Sequence, residues 1–321
     1  MVARLSSPRV AAASDHRQPD GIVSERSTAF LLLRSIRPEQ WPKNLFVFAG
    51  LLFGKRLFDI DAVALAMAAF AIFSALSSTI YLFNDVADRV ADRTHPLKRT
   101  RPIASGALSP RVAVVAASGL GLVALGAAAA ISPGLVLTAG TYVGLLLLYS
   151  FALKHIVIVD VLTIAAGFVL RAVAGALAVD VPISQWLLVC TTLLALFLAL
   201  SKRRHELTLL ADAAGDHRPI LDEYTPYLLD QMVGVVTAST LVAYALYAAS
   251  PDTAEKLGTD RLTWTIPFVL YGIFRYLYLV HQKRGGGNPS AMLLTDRPLL
   301  ACVALWAASV ILLLYSPLGA R

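Results

Sequence analysis

The sequence predicts an all-α integral membrane protein, a bundle of nine transmembrane helices. Two features of the composition point to this class, since 57% of the 321 residues are hydrophobic and only 15% carry a charge. About a quarter of the residues in a soluble domain are charged. The third observation is that apolar runs long enough to cross about 30 Å of hydrocarbon recur along the chain. An ordinary soluble enzyme is therefore excluded.

Charged residues, proline and glycine bound the apolar runs that predict the nine helices. The first run is the least regular, because IRPEQWPKN places Pro38 and Pro42 at its start, and we expect it to enter the membrane through an amphipathic or kinked turn. The runs lie, to within about 2–4 residues at each end, at 30–53, 61–84, 110–131, 134–152, 157–179, 184–201, 230–250, 263–281 and 298–316.

Basic residues alternate between the predicted loops. The loops after the second, fourth, sixth and eighth helices hold Arg89, Arg93, Lys98, Arg99, Arg101, Lys154, Lys202, Arg203, Arg204, Arg218, Lys283, Arg284 and Arg297. The other loops hold Lys55, Arg56, Lys256 and Arg261. Loops rich in Lys and Arg stay in the cytoplasm. We therefore predict a cytoplasmic N-terminus and, because the helix count is odd, a C-terminus outside.

Residues 1–26 differ from the rest of the chain. They are polar and lack the apolar run of about 7–15 residues that a signal peptide contains, so we interpret them as a disordered cytoplasmic tail before a single transmembrane catalytic domain at 27–321. Cys190 and Cys302 lie inside apolar runs, which gives no indication of a disulfide framework or a metal cluster. The net charge of +7 is attributed to membrane topology, and no nucleic-acid partner is expected.

An acidic cluster lies at the end of the second predicted helix, in NDVADRVADRTHPLKRTRPIASG. Its oxygen-bearing residues, spaced three or four apart and so on one helix face, are Asn84, Asp85, Asp88 and Asp92. Hard oxygen ligands of this kind suit Mg²⁺, which shares its site with substrate phosphates. Lys98 and Arg101 follow and offer charge to phosphate oxygens. The alternative is a solvated loop with exposed Asp–Arg pairs.

This stretch resembles the first aspartate-rich motif of the UbiA superfamily of intramembrane prenyltransferases, N-D-x-x-D-x-x-x-D followed by K-x-x-R-P-I. The resemblance covers about residues 30–316. It implies a nine-helix bundle around a central cavity that opens to the cytoplasm. It also implies a Mg²⁺–diphosphate substrate held by the motif, in the inner membrane of a bacterium.

The second aspartate motif of typical members, D-x-x-x-D after the sixth helix, is missing. That position holds Lys202, Arg203, Arg204 and Glu206, while Asp212 and Asp216 lie further on, around Gly215, and are interpreted as a surface loop. The chain instead resembles the branch that transfers phosphoribosyl groups, the decaprenyl-phosphate phosphoribosyltransferases. The stretches that carry this resemblance are IRPEQWPKN (36–44), NDVADRVADRTHPLKRTRPI (84–103), YSFALKH (149–155), VLRAVAG (169–175) and SKRRHEL (201–207).

The branch implies phosphoribosyl pyrophosphate as donor and a polyprenyl phosphate as acceptor. These substrates carry more anionic groups than a prenyl diphosphate, and the candidate substrate-binding residues are Lys43, Lys98, Arg101, Tyr149, Lys154, Arg171, Lys202 and Arg203. Arg171 lies inside an apolar run, where a charge indicates a functional site. Alternatively, Arg171 pairs structurally with Asp160 or with another helix, Lys43, Lys154 and Lys202 anchor the chain at headgroups, and Tyr149 is an interface aromatic.

The implied chemistry is Mg²⁺-assisted glycosyl transfer. Its candidate catalytic residues are Asp85, Asp88, Asp92 and Glu206. A prenyltransferase acting on an aromatic acceptor is the second hypothesis. A transporter is the third, and it is disfavoured because the acidic motif has no counterpart in the second half of the chain. Membrane lipids surround the protein in every case, and a homo-oligomer is compatible with the sequence.

Overall fold

A computed structural model describes residues 27–94, 98–211, 220, 223–283, 287 and 289–316. The predicted tail at 1–26 and the pair Asp212 and Asp216 lie outside these residues. The regular structure of the described part is helical. Its α-helices are α1 (Thr28–Ser35), α2 (Phe48–Phe53), α3 (Ile60–Ala87), α4 (Arg89–Thr94), α5 (Pro110–Ile131), α6 (Pro133–Phe151), α7 (Val159–Ala178), α8 (Gln185–Ala211), α9 (Pro226–Ala249), α10 (Pro251–Leu257), α11 (Ile266–Gln282), α12 (Pro289–Thr295) and α13 (Arg297–Tyr315).

Within the described residues, eight helices are long and apolar enough to cross a membrane. They are α3, α5, α6, α7, α8, α9, α11 with the 3-10 turn before it, and α13. These match the second to ninth predicted runs. The predicted first span, 30–53, consists of α1, a 3-10 segment at Pro38–Val47 and α2. The count of nine spans is therefore not confirmed.

The sequence explains why this first segment is broken. Arg37 has a left-handed backbone, with φ of 54°, and Pro42 lies inside the 3-10 segment. Proline has no N–H to donate and its ring clashes with the preceding turn, so a helix is kinked or broken at this position.

Helix α8 is longer than predicted. The run at 184–201 predicts an end before SKRRHEL, but the helix continues to Ala211. Glu206 forms ion pairs with Arg203, three residues before it, and with Lys202, four residues before it. Such pairs stabilise a helix. The basic and acidic side chains of this stretch are therefore presented by a helix and not by a loop.

Helix α7 lies at the centre of the bundle, where α2, α6, α8 and the 3-10 segment all pack against it. Small residues allow the close approach of these backbones. A Cβ atom added to Gly175 would lie 1.8 Å from the carbonyl oxygen of Val47, and one added to Gly50 would lie 2.7 Å from Cα of Ala176. Glycine at both positions thus sets the position of the broken first segment.

We expect Gly175→Ala to lower the melting temperature of the purified protein, because the new methyl group overlaps the Val47 backbone. Overpacking of this kind costs about 1–3 kcal/mol. The matched control is Gly119→Ala, since an added Cβ there meets nothing within 4 Å. Equal melting temperatures for the two variants would contradict the close packing of this segment on α7.

Candidate active site

A cavity of about 1640 Å³ lies between α2, α3, α6, α7, α8, α9, α11 and α13. At one end its wall is aromatic, where Tyr247 packs against Phe53 and Trp186. Charged side chains from the far ends of α3 and α8 line the other end. Pockets for small molecules have volumes of about 300–1,000 Å³. The cavity is therefore large enough for a polar head and part of an apolar chain.

The structure brings the predicted site residues together. Those that line the cavity are Lys43, Asn84, Asp85, Asp88, Asp92, Lys98, Arg101, Tyr149, Arg171, Lys202, Arg203 and Glu206. Lys154 lies outside this lining, with its Nζ 4.0 Å from Oδ1 of Asp88. Residues far apart in sequence thus share one chamber, as a single site requires.

Two of the motif carboxylates are buried and share one arginine. Asp85 and Asp92 are only 3% and 2% exposed. Arg101 Nη1 donates to both, at 3.1 Å from Asp85 Oδ1 and 2.6 Å from Asp92 Oδ2. Arg37 Nη2 donates to the same Asp85 oxygen at 2.5 Å, and Lys98 Nζ lies 3.8 Å from Asp92. The carboxylates of Asp85 and Asp92 therefore both bind the guanidinium of Arg101.

Asp88 differs from its neighbours in the motif. It ends α3 as the C-cap residue, and its side chain is 50% exposed. The chain turns at Asp88 before α4 begins, so the predicted continuous strip of acids is divided between two helices. The solvated-loop interpretation does not fit Asp85 and Asp92, because both are buried.

The donors of the motif fit a hard divalent cation. Asn84, Asp85, Asp88 and Asp92 all line the cavity and offer amide or carboxylate oxygens, the ligands that Mg²⁺ prefers. Within the described part of the chain, no group of three or more His, Cys, Asp or Glu side chains is close enough to hold a metal ion. Mg²⁺ usually keeps waters and uses one or two carboxylates together with substrate phosphates. The donor set suits that mode of binding.

A second polar cluster surrounds Arg203, which is 1% exposed. Its Nε donates to Asp160 Oδ2 at 2.7 Å, its Nη1 to Glu206 Oε2 at 2.5 Å and its Nη2 to Tyr149 Oη at 3.0 Å. Lys202 Nζ lies 3.6 Å from Glu206. Three helices, α6, α7 and α8, therefore hold one guanidinium at the cavity wall.

A third cluster surrounds Arg171 inside α7. Its Nε donates to Asn44 Oδ1 at 2.7 Å, its Nη2 to Tyr142 Oη at 2.6 Å and its Nη1 to the Gly167 carbonyl at 2.9 Å. The suggested structural pair of Arg171 with Asp160 is wrong, because Asp160 pairs with Arg203. The hydrogen bonds that Arg171 makes to described residues all go to neutral groups, so no hydrogen-bonded carboxylate offsets the charge of this buried guanidinium.

Lys43 lies near this cluster, in the 3-10 segment outside the eight candidate spans. Burial, followed by the positive charges of Arg171 and Arg37, lowers the pKa of Lys43 from 10.5 to about 8. Cations placed this close destabilise one another unless an anion lies between them. The arrangement favours an anionic group at this part of the cavity.

The charges of the site are not balanced. Among the described residues, the basic side chains that line the cavity are Arg37, Lys43, Lys98, Arg101, Arg171, Lys202 and Arg203. The acidic ones are Asp85, Asp88, Asp92 and Glu206. The excess of positive charge indicates a ligand that carries several negative charges.

Sequence reasoning missed four residues that hold these side chains in place. Arg37 contacts Asp85, and Asn44 and Tyr142 contact Arg171. Asp160 was considered only with the wrong partner. Arg37 and Asn44 belong to the stretch IRPEQWPKN, which the sequence had already singled out. The sequence did offer one indication for Asp160, since it is a carboxylate in the first turn of an apolar helix.

The profile of the UbiA prenyltransferase family matches residues 44–297. The decaprenyl-phosphate phosphoribosyltransferase of Mycolicibacterium smegmatis is 33% identical over 288 residues, which cover 87% of this chain and 91% of that protein. The enzyme of the same name from Corynebacterium glutamicum is 32% identical over 320 residues, covering 97% and 93%.

Solved structures share the fold at lower identity. A UbiA homologue from Archaeoglobus fulgidus, solved with GPP and Mg²⁺, has a TM-score of 0.66 and 19% identity, covering 88% of this chain and 98% of that one. A digeranylgeranylglyceryl phosphate synthase has a TM-score of 0.58 at 16% identity, covering 88% and 93%. From the matched profile and the relatives above 30% identity, the chain belongs to the UbiA prenyltransferase family.

Proposed function

We propose that the protein transfers a 5-phosphoribosyl group from phosphoribosyl pyrophosphate to a polyprenyl phosphate and releases pyrophosphate. The names of its bacterial relatives support this reaction. The observation that carries it is the excess of basic side chains around the cavity. The donor brings a diphosphate and a 5-phosphate, and the acceptor brings a further phosphate, whereas a prenyl diphosphate has one charged head.

The diphosphate of the donor is assigned to the end of the cavity formed by α3 and α4. Lys98 and Arg101 bind its oxygens, and the candidate metal ligands are Asn84, Asp85, Asp88 and Asp92. Mg²⁺ held by these residues would supply positive charge to the diphosphate and to the departing pyrophosphate. The A. fulgidus homologue of the same fold was solved with GPP and Mg²⁺, which supports a divalent metal in this proposal.

The acceptor is assigned to the clusters that lie deeper in the bundle. Arg171 and Lys43 hold a phosphate at the level of α7, and the apolar walls of the cavity take the first part of the polyprenyl chain. The phosphate oxygen, already an anion, attacks C1 of the ribose from the face opposite the leaving pyrophosphate. No strong base is required, because no proton has to be removed from the nucleophile.

The cluster at α8 is assigned to the ribosyl group. The C1–O bond to pyrophosphate breaks as the new bond forms, and positive charge develops on the ribose. The Glu206 carboxylate stabilises that charge or accepts from a ribose hydroxyl. Lys202, Arg203 and Tyr149 bind oxygens of the donor, and Lys154 acts through Asp88, which its Nζ approaches to 4.0 Å.

The charged end of the cavity is proposed to face the cytoplasm of a bacterial cell. Basic residues near the ends of α3, α6 and α8, namely Lys98, Lys154 and Lys202, lie at that end, as the positive-inside rule requires of cytoplasmic residues. We place the N-terminus there and the C-terminus outside, which requires the broken first segment to cross the membrane in addition to the eight candidate spans, with residues 27–321 as one catalytic domain. The protein functions as a monomer or as a homo-oligomer in the membrane.

The reaction is tested with purified protein in detergent, Mg²⁺, labelled phosphoribosyl pyrophosphate and a polyprenyl phosphate. We expect label to appear in the lipid fraction and pyrophosphate to be released in equal amount. No labelled lipid, together with turnover of a polyprenyl diphosphate and an aromatic acceptor, would assign the protein to the prenyl-transferring enzymes instead.

The pKa of Lys43 leads to a pH prediction. Because the pKa is about 8, the side chain is charged below pH 8 and loses its charge as the pH rises through that value. We expect kcat/KM for the polyprenyl phosphate to fall above pH 8 in the wild-type enzyme, since kcat/KM reports groups of the free enzyme. In Lys43→Arg the fall at this pH should disappear, because the guanidinium stays charged. Identical profiles for the two proteins would exclude Lys43 from anion binding.

A further inference from the structure

Two buried residues lie behind Arg203, away from the cavity. Asp160 is fully buried, at 0% exposure, and Tyr224 is 3% exposed. The cavity wall includes Arg203, Glu206 and Tyr149 but neither of these two. Asp160 Oδ2 accepts from Arg203 Nε at 2.7 Å, while Asp160 Oδ1 accepts from the Tyr224 hydroxyl at 2.9 Å. The carboxylate thus links the cavity guanidinium to a tyrosine that comes after α8 in the chain.

The same tyrosine holds a strained turn at the start of α7. Ile158 has φ of 69° and ψ of −43°, and the Val159 N–H donates to the Val157 carbonyl at 2.8 Å. This is a γ-turn with positive φ at its centre, a rare conformation that is especially unfavourable for a β-branched residue. The N–H of Ile158 donates to the Tyr224 hydroxyl at 2.7 Å. One hydroxyl therefore fixes both the turn and the carboxylate of Asp160, two residues later.

Tyr224 is itself held firmly by apolar packing. It lies in a buried cluster with Phe197 and Leu200 of α8, Val161 of α7 and Leu229 of α9. Its position in the segment between α8 and α9 is thus tied to α7, α8 and α9, and two of these helices, α7 and α8, also hold the guanidinium. Backbone strain of this kind persists only where surrounding structure enforces it, and it gathers at functional sites.

The arrangement fixes the orientation of Arg203. The guanidinium has five N–H donors in a rigid fork. Asp160, Glu206 and Tyr149 take one bond each from Nε, Nη1 and Nη2. With the Nε edge fixed on Asp160, both terminal nitrogens lie beside the two cavity-lining partners. A rotation of the guanidinium would move them away from the cavity.

We propose that Asp160 and Tyr224 are positioning residues, which hold the Arg203 guanidinium in the orientation that binds an anionic oxygen of the donor. This inference extends the proposed function, because it takes Arg203 to contact phosphoribosyl pyrophosphate. Neither residue touches the substrate. Their effect on the reaction passes through Arg203, and the γ-turn at Ile158 sets the direction from which the carboxylate approaches.

The test compares Tyr224→Phe, which keeps the ring and its packing, with a matched control. The control is Tyr315→Phe, at a site away from this cluster. It also loses a hydroxyl with two hydrogen bonds, since the Tyr315 hydroxyl accepts from the Leu57 N–H and donates to the Leu52 carbonyl. We expect both variants to lose some thermal stability. Only Tyr224→Phe should weaken binding of phosphoribosyl pyrophosphate, measured by calorimetry, by about tenfold, because small displacements of binding groups have effects of this size or more.

A double-mutant cycle separates positioning from general destabilisation. If Tyr224 acts through Arg203, Tyr224→Phe should add no further loss of donor affinity in an Arg203→Gln background. Asp160→Asn, which keeps the shape and removes the charge, should raise KM for the donor with a smaller effect on kcat. Wild-type donor affinity in Tyr224→Phe, or full additivity in the double variant, would overturn the proposal.

The outcome is separable from that of the proposed function. If wild-type protein forms no phosphoribosyl lipid, the proposed reaction fails, and the positioning role is then judged on binding of magnesium pyrophosphate to the same variants. A tenfold loss in Tyr224→Phe with that probe would still support it. If wild-type protein binds neither pyrophosphate nor the donor, Arg203 has no anion to bind and both proposals fail.

Discussion

The Asp88→Asn variant should lose about 100- to 1000-fold in kcat while its melting temperature stays at the wild-type value. The loss has the size seen when one electrostatic stabiliser of a transition state is removed. Stability should not change, because the Asp88 side chain is half exposed and its contact with Lys154 is 4.0 Å long. Asparagine keeps an oxygen but not the charge, so the variant should also need more Mg²⁺ for half-maximal rate.

The matched control for this variant is Asp230→Asn. Asp230 is a carboxylate of similar exposure, 39%, that pairs with Arg204 and lies outside the lining of the cavity. We expect its turnover and Mg²⁺ requirement to equal those of wild type. Full activity in Asp88→Asn would return Asp88 to the role of a solvated surface group and remove it from the proposed metal ligands.

The Arg171→Met variant should lose about 100-fold or more in kcat/KM for the polyprenyl phosphate and yet stay folded, with a loss of stability of no more than about 1–3 kcal/mol. Removing one member of a buried charge pair at a binding site has an effect of this size. The stability argument rests on the neutral partners of Arg171, because its replacement leaves no buried carboxylate without a counter-charge, which is the outcome that destabilises most. Asn44 and Tyr142 keep a contact with Ser77, so neither polar group is left alone.

Arg275→Met is the control for the loss of an arginine on the same scaffold. Arg275 pairs with Asp296, is 26% exposed and lies outside the cavity lining. Its kinetics should match wild type. A large fall in the melting temperature of Arg171→Met, with normal kcat/KM in the fraction that remains folded, would show that Arg171 serves only the packing of α7.

Local sequence patterns were sufficient for part of the site. Arg101 contacts Asp85, 16 residues before it, and Asp92, 9 residues before it. Helical spacing and one turn are enough to bring these three residues together. The eight apolar runs from 61 onward were also predicted to within a few residues, except at the end of α8. There the ion pairs of Arg203 extend the helix past the apolar run.

The first segment shows what such patterns leave open. Its apolar content predicted a span at 30–53 with a kinked turn at its start, and the segment, which contains two prolines and the left-handed Arg37, is divided into three short helices. The resulting shape brings Arg37 to Asp85, 48 residues away, and Asn44 to Arg171, 127 residues away. Composition cannot indicate these contacts, because they depend on how a broken segment packs against α7.

The sequence alone determined the membrane class, the family resemblance and the residues of the acidic and basic motifs, because hydrophobic length and short spacings are local properties. The tertiary structure decided which charge meets which. Asp160 lies 43 residues from Arg203 and joins it through the packing of α7 on α8. Periodicity shows which face of a helix is buried, but the partner of a buried charge is set by the neighbouring helix, and only the folded bundle specifies that neighbour.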